Sequence, residues 1–222
     1  MKHDDFVWYT FGIHPHHAAD FTQVTYEQLK VLLKLPKVVA LGECGLDYSG
    51  NNCVDPTIQK FVFKCQLRMA MEMKLPVCLH IRDADEDGYA ILEEVNFPTD
   101  HRIHLHCFNS SWEVCEKWIS KYNNLRVGFT PVIKNMSAES RNVVKKLPLE
   151  KILLETDAPY FLVDENSSEL NFNHPGFVYQ TAIAVAHLKQ ITVEEAIEAN
   201  RKSEFDKLWS SPDLYLQAVL CK

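Results

Sequence analysis

Val77-Cys78-Leu79-His80-Ile81-Arg82-Asp83 is the stretch on which the fold turns. Three apolar residues run without a polar break and then give way to His, Arg and Asp. A short unbroken apolar run is how a parallel strand buried on both faces reads. Upstream, residues 56–73 open with Pro56 in the first turn and repeat Ile58, Phe61, Val62, Cys65, Met69 and Met73 at helical spacing. Downstream, residues 87–95 read as another helix. The strand therefore sits inside a helix–strand–helix unit.

The same unit recurs along the chain. Apolar runs at 6–11, 38–41, 77–79, 103–107, 125–129 and 152–154 are expected strands. Segments 26–35, 56–73, 87–95, 111–122, 137–147, 175–189 and 192–205 are expected helices. The last of these begins Thr192-Val193-Glu194-Glu195, a capping-box pattern. Repeated β-α units require right-handed crossovers and a parallel sheet. The expected fold class is α/β, with residues 1–222 as a single domain, since no Gly/Ser linker divides them. Residues 162–173 form the one long irregular stretch, a loop long enough to shape a site. Six strands are expected where a closed (β/α) barrel has eight.

Composition narrows the function. Hydrophobic residues make up 46% and charged residues 24%, which excludes disorder as the overall state. No run of about 18 apolar residues could span a membrane, and the first residues lack the apolar stretch of a signal peptide. Net charge is −7, against a broad phosphate-binding surface but compatible with phosphate chemistry at a bound cation. Seven cysteines without a C-x-x-C pair argue for reduced thiols and a cytoplasmic or nuclear protein.

The polar residues at the end of each apolar run carry the chemistry. His14, His16 and His17 come after the first, Glu43 after the second, His80 after the third, His106 after the fourth and Asp157 after the sixth. In a parallel barrel these ends share one face, where active sites form. Two His and two carboxylates converging there suit a divalent metal. Taken singly, His80 reads as a hydrogen-bonded structural histidine, Glu43 as a cap or surface carboxylate and Asp157 as a loop cap. His104 and His106 share a strand face; His106, nearer the end, is the expected ligand and His104 the reserve. His3, His17, His101 and His187 read as surface residues. Cys44, Cys78 and Cys107 are expected to point away from the site and pack.

Gly-Ile-His-Pro-His at 12–16, Leu-Gly-Glu-Cys-Gly-Leu-Asp-Tyr at 41–48, Leu-His-Ile-Arg-Asp-Ala at 79–84, His-Cys-Phe at 106–108 and Leu-Glu-Thr-Asp-Ala-Pro-Tyr at 154–160 together resemble the TatD family of metal-dependent nucleases. The order and intervals also fit, over almost the whole chain. The resemblance implies a TIM-type (β/α) barrel of the metal-dependent hydrolase superfamily. It implies one or two divalent ions (Mg, Mn or Zn) and a nucleic-acid substrate, DNA or RNA, trimmed from 3′ ends. By it, Glu43 bridges the metals, His80 and His106 are ligands, and Asp157 is a ligand that orients or deprotonates the attacking water. His14 lies near the scissile phosphate, and His16 and Arg82 face the substrate.

Three departures accompany the resemblance. The family's opening Asp-x-His-x-His motif is not found before Gly12; Asn109 stands where a Gly is usual; and Phe172-Asn173-His174-Pro175 replaces Arg-Asn-Glu-Pro. The expectation from the first is an N-terminally truncated or incomplete barrel. Its Phe6-to-Phe11 strand would be an aggregation-prone edge, its stability low and its nuclease activity small. The alternative functional expectation is a catalytically impaired paralogue or isoform that binds without cleaving; a small-molecule amidohydrolase is a third.

Overall fold

The computed structural model describes residues 7–161 and 172–203. Its centre is a six-stranded all-parallel sheet in sequential order, β1 (Tyr9–Phe11), β2 (Val38–Asp47), β3 (Val77–Arg82), β4 (Ile103–His106), β5 (Leu125–Phe129) and β6 (Ile152–Leu154). Around it run α1 (Gln23–Leu32), α2 (Pro56–Met73), α3 (Asp85–Glu94), α4 (Trp112–Lys121), α5 (Ala138–Lys146), α6 (Val178–Lys189) and α7 (Val193–Ser203). Strands paired in chain order, with helices between them, form the sequential α/β arrangement of a TIM-type barrel.

Local chemistry sets the helix starts. Asp55 accepts from the Thr57 amide and Pro56 opens α2. Ser111 and Ser137 cap α4 and α5. The Thr192–Glu195 box forms as expected, Glu195 accepting from the Thr192 amide at 2.8 Å and Thr192 Oγ1 from the Glu195 amide at 3.1 Å.

Alternation along the strands creates two interiors. Leu41, Val77, Leu79, Ile103, Leu105, Leu125, Val127, Ile152 and Leu154 pack with the helices in one large core that includes Phe63, Leu67, Trp118 and Tyr122. The opposite sheet face carries Cys78, His80, His104, His106, Arg126 and Gly128, the inward face of the curved sheet. Trp8 packs there against a small cluster of Val39, Ala40 and Leu153, from β2 and β6. Among the described residues β1 pairs only with β2 and β6 only with β5.

Some boundaries differ from expectation. β1 starts at Tyr9, and Phe6 lies outside the described residues. The expected loop at 162–173 falls outside them except at its last two residues, as do Phe205, His3 and Cys221. β2 runs six residues beyond the apolar stretch, through Asp47. Gly42 and Gly45 permit this, at φ of 153° and 151°, where their backbone lies against β3. A Cβ at Gly42 would meet Cys78 Cβ at 2.6 Å, and one at Gly45 would meet the His80 carbonyl oxygen at 1.9 Å. The register shift between Leu41 and Cys44 places Glu43 at a bulge within the strand, not after it. β4 ends one residue early because Cys107 turns left-handed at φ 46°. α1 and α3 begin earlier than expected, at Gln23 and Asp85.

Candidate metal centre

Glu43, His80, His106 and Asp157 meet at the C-terminal end of the sheet. Glu43 stands in the middle. Its Oε2 is 3.6 Å from His80 Nδ1 and 3.8 Å from His14 Nε2, and its Oε1 is 3.4 Å from His106 Nε2. His106 Nε2 is also 3.5 Å from Asp157 Oδ1. Asp157 adopts φ 52°, and such left-handed non-glycine residues persist where the surrounding structure holds them, often at functional sites.

Three sets of three donor atoms each lie within 4.8 Å of one another: His14–Glu43–His80 and His106–Cys107–Asp157 at the cluster, and Cys78–His104–His106 running behind it. Imidazole, carboxylate and thiol donors at such separations suit a divalent ion. The charge inventory points the same way: Glu43, Asp47, Glu155 and Asp157 crowd the same few histidines.

Two further carboxylates lie behind the ligand candidates. Asp47 is buried at the end of β2 and takes Ser49 N at 2.8 Å and Ser49 Oγ at 2.5 Å on Oδ1. Its Oδ2 lies 2.9 Å from His16 Nε2 and 3.2 Å from His80 Nε2. Burial raises the Asp47 carboxyl, but its bonds to His80, Ser49 and His16 bring it well below the usual carboxylate range. Asp47 thus engages the back of the His80 ring and leaves Nδ1 facing Glu43. Glu155, just past β6, lies behind His106 with Oε2 3.1 Å from Nδ1, close enough for charge attraction but not aligned as a hydrogen bond. Burial lowers both His80 and His106, yet the carboxylates around them raise both above the ordinary histidine value.

His14 differs. Its Nδ1 accepts the His16 amide at 3.2 Å, capping a 3-10 turn at Pro15–Asp20. The neutral ring therefore carries its proton on Nε2, facing Glu43. Burial, with His80 beside it, lowers His14 to about 4, so it is neutral near pH 7. Its ring packs edge-on against His80, centroids 4.4 Å apart. Arg82 lies exposed at the end of β3, two residues beyond His80.

The structure revises several readings. His104 lies behind the cluster, hydrogen-bonded through Nε2 to Glu155 Oε1. Cys78 does not point away: two residues before His80 in the same strand, it shares the inward face, with Sγ 3.6 Å from His104 Nδ1. Cys107 was expected to alternate outward, but the left-handed turn brings its thiol beside His106 and Asp157. Cys44 does pack in the main core. His101 is half-buried, with Nε2 2.8 Å from the Leu75 carbonyl, rather than a surface residue. Asp47 and Glu155 were missed as parts of the site. The available signal was a second carboxylate four residues after Glu43 and another two before Asp157.

Among the described residues no helix is long and apolar enough to cross a membrane. The family model described as TatD-related DNase matches residues 1–208. The human 3′-5′ RNA nuclease TATDN2 is 39% identical over 203 residues, which cover 90% of this chain and 26% of that protein. The 3′-5′ ssDNA/RNA exonuclease TatD of Erwinia tasmaniensis is 38% identical over 72% of this chain and 61% of its own length. This chain thus spans about a quarter of the first relative and about three fifths of the second. The Bacillus subtilis protein named uncharacterized metal-dependent hydrolase YabD is 36% identical over 86% of this chain and 73% of its length. The crystal structure of YjjV, a TatD homologue from Escherichia coli, superposes with a TM-score of 0.79 at 28% identity, covering 92% of this chain and 77% of that one. By the family model and by these relatives, the chain belongs to the TatD-related DNase family.

Proposed function

We propose that this chain is a divalent-metal-dependent phosphodiesterase that shortens DNA or RNA from the 3′ end. The observation that carries the reading is the position of Glu43, whose two carboxylate oxygens face His80 on one side and His106 on the other, with Asp157 beyond. The names of the human and Erwinia relatives support the substrate class and polarity.

Glu43, His80, His106 and Asp157 would hold one or two ions (Mg, Mn or Zn). When bound, such an ion lowers the pKa of water towards neutrality and draws negative charge from a phosphate. Asp157, partly exposed beside His106, would orient the attacking water and accept its proton. His14 carries Nε2–H towards the same space and is uncharged near neutral pH, so it suits donation to a phosphate oxygen or to the leaving oxygen. Its Nδ1 is spent on the backbone cap, which favours this role over ligation. His16, bonded to Asp47, and Arg82, exposed two residues beyond His80, would contact phosphate. A few contacts of this kind are compatible with a net charge of −7. Six free cysteines among the described residues fit a reducing compartment, cytoplasmic or nuclear.

The test is cleavage of end-labelled single-stranded DNA and RNA with Mg, Mn or Zn. The reading expects stepwise shortening from the 3′ end, loss of cleavage with a chelator, and loss of at least about a hundredfold in Asp157→Asn. Cleavage that survives the chelator, or an Asp157→Asn variant as active as the parent, would overturn it.

A further inference from the structure

His106 touches both Glu43 and Asp157 through a single nitrogen, Nε2, so the orientation of that ring decides whether the candidate centre is assembled. The groups that fix the ring lie behind it. Glu155 is 7% exposed and uses both oxygens: Oε2 accepts the Cys107 amide at 3.0 Å and lies 3.1 Å from His106 Nδ1, a charge contact without hydrogen-bond alignment that leaves that buried nitrogen no other partner among the described residues, while Oε1 is hydrogen-bonded to His104 Nε2. The Glu155 backbone is pinned too, its amide donating to the Phe129 carbonyl and its carbonyl accepting from Thr181 Oγ1 at 2.8 Å.

The contact crosses a strand. Glu155 lies just after β6 and His104 belongs to β4; β5 lies between them. They meet because position 128 of β5 has no side chain. A Cβ there would fall 1.6 Å from Glu155 Oε1 and 2.6 Å from His104 Nε2. His104 itself is 1% exposed, with Cys78 Sγ 3.6 Å from its other nitrogen. A buried imidazole reaching past a glycine to a buried carboxylate is a costly arrangement for packing alone, since both groups must be desolvated.

We infer that His104 and Glu155 are a positioning pair: they hold His106 with the proton on Nδ1 and so present its Nε2 as a free donor to Glu43, Asp157 and a divalent ion. Neither residue touches substrate or the ion. Glu155 carries the orienting charge, and His104 keeps that carboxylate from turning away from His106. The inference rests on the proposed metal centre, and the experiment separates the two. Groups in this position fix the tautomer of a ligating histidine, and their loss typically lowers metal affinity 10- to 100-fold.

The test is binding, independent of turnover. Cobalt(II) is titrated into the full chain, followed by its visible absorption, with melting curves recorded in parallel. Glu155→Gln, close to isosteric, is expected to weaken binding about 10- to 100-fold. His104→Leu is expected to weaken it comparably. His104→Gln, which keeps an N–H donor for Glu155, should recover most of the affinity, a recovery that a purely space-filling role for His104 would not produce. Glu43→Gln reports on the underlying reading. If the parent chain binds no cobalt, or Glu43→Gln binds as well as the parent, both readings fail. If Glu43→Gln loses binding while folded Glu155→Gln and His104→Leu bind within twofold of the parent, the positioning role alone fails. A measurement on the unsubstituted chain guards against variants that do not fold. Nitrogen-15 histidine spectra of the zinc-loaded protein should show His106 protonated on Nδ1, and protonation on Nε2 would overturn the inference.

Discussion

Gly128→Ala perturbs the site without changing a single charge. The added methyl would sit 1.6 Å from Glu155 Oε1, 2.3 Å from its Cδ and 2.6 Å from His104 Nε2. Ordinary contact is about 3.5 Å, so the carboxylate must retreat by roughly 2 Å. Its partners lie about one hydrogen-bond length away, at Cys107 N (3.0 Å) and His106 Nδ1 (3.1 Å), and a shift of that size breaks the set. The backbone has little freedom to move instead. Gly128 pairs with Leu153, its carbonyl accepts from the Phe108 amide at 2.9 Å, and Val127 and Phe129 on either side are fully buried. Disrupting a buried, hydrogen-bonded ion pair costs about 3–5 kcal/mol. The lower unfolded-chain entropy of Ala returns up to about 1 kcal/mol. A net loss of about 2–4 kcal/mol lowers Tm by roughly 4–16 °C for a chain of this size. The assay is a thermal melt beside a divalent-ion titration, with Gly50→Ala, whose Cβ meets nothing within 4 Å, as control. The expected result is a large drop in both quantities for Gly128→Ala and neither for Gly50→Ala. A Gly128→Ala protein melting within about 1 °C of the parent and binding metal equally well would refute the reasoning.

Two other outcomes come from the same geometry. Asp47→Asn removes the charge behind His80 while keeping the shape that Ser49 grips, and should weaken metal binding about 10-fold or more with little change in secondary structure; equilibrium titration with a chromophoric competitor checks it. The raised values of His80 and His106 set a pH dependence. In the metal-free protein their charged forms add stability that is complete below about pH 6.5 and is lost as pH rises through the folded-state values. An ion needs the same rings unprotonated, so the Tm gain on adding Mn should grow from about pH 6 to about pH 8. Melts with and without Mn across that range decide it, and a gain that shrinks with rising pH contradicts it.

The sheet was readable because strands buried on both faces leave unbroken apolar runs, and the runs at 77–79, 125–129 and 152–154 lie in β3, β5 and β6. The polar residues at their exits were readable for the same reason, since a parallel sheet puts those exits together. β2 was read short because Gly42 and Gly45 look like a strand's end, whereas they let a bulged strand press against β3. Asp47 was hidden with the lost half of that strand. Glu155 was hidden beside Asp157, and its tie to His104 depends on a glycine in an intervening strand, a relation between segments 51 residues apart. Cys107 was misplaced because alternation presumes an extended backbone, and its φ of 46° ends the extension.

The most direct test of the central claim is an anomalous difference map from crystals of this chain grown with manganese. The proposed centre predicts one or two peaks between Glu43, His80, His106 and Asp157, with Glu43 oxygens, His80 Nδ1, His106 Nε2 and Asp157 Oδ1 about 2.0–2.3 Å from an ion. A map with no peak in this cluster at saturating manganese, or with the ion held by other residues, would contradict it.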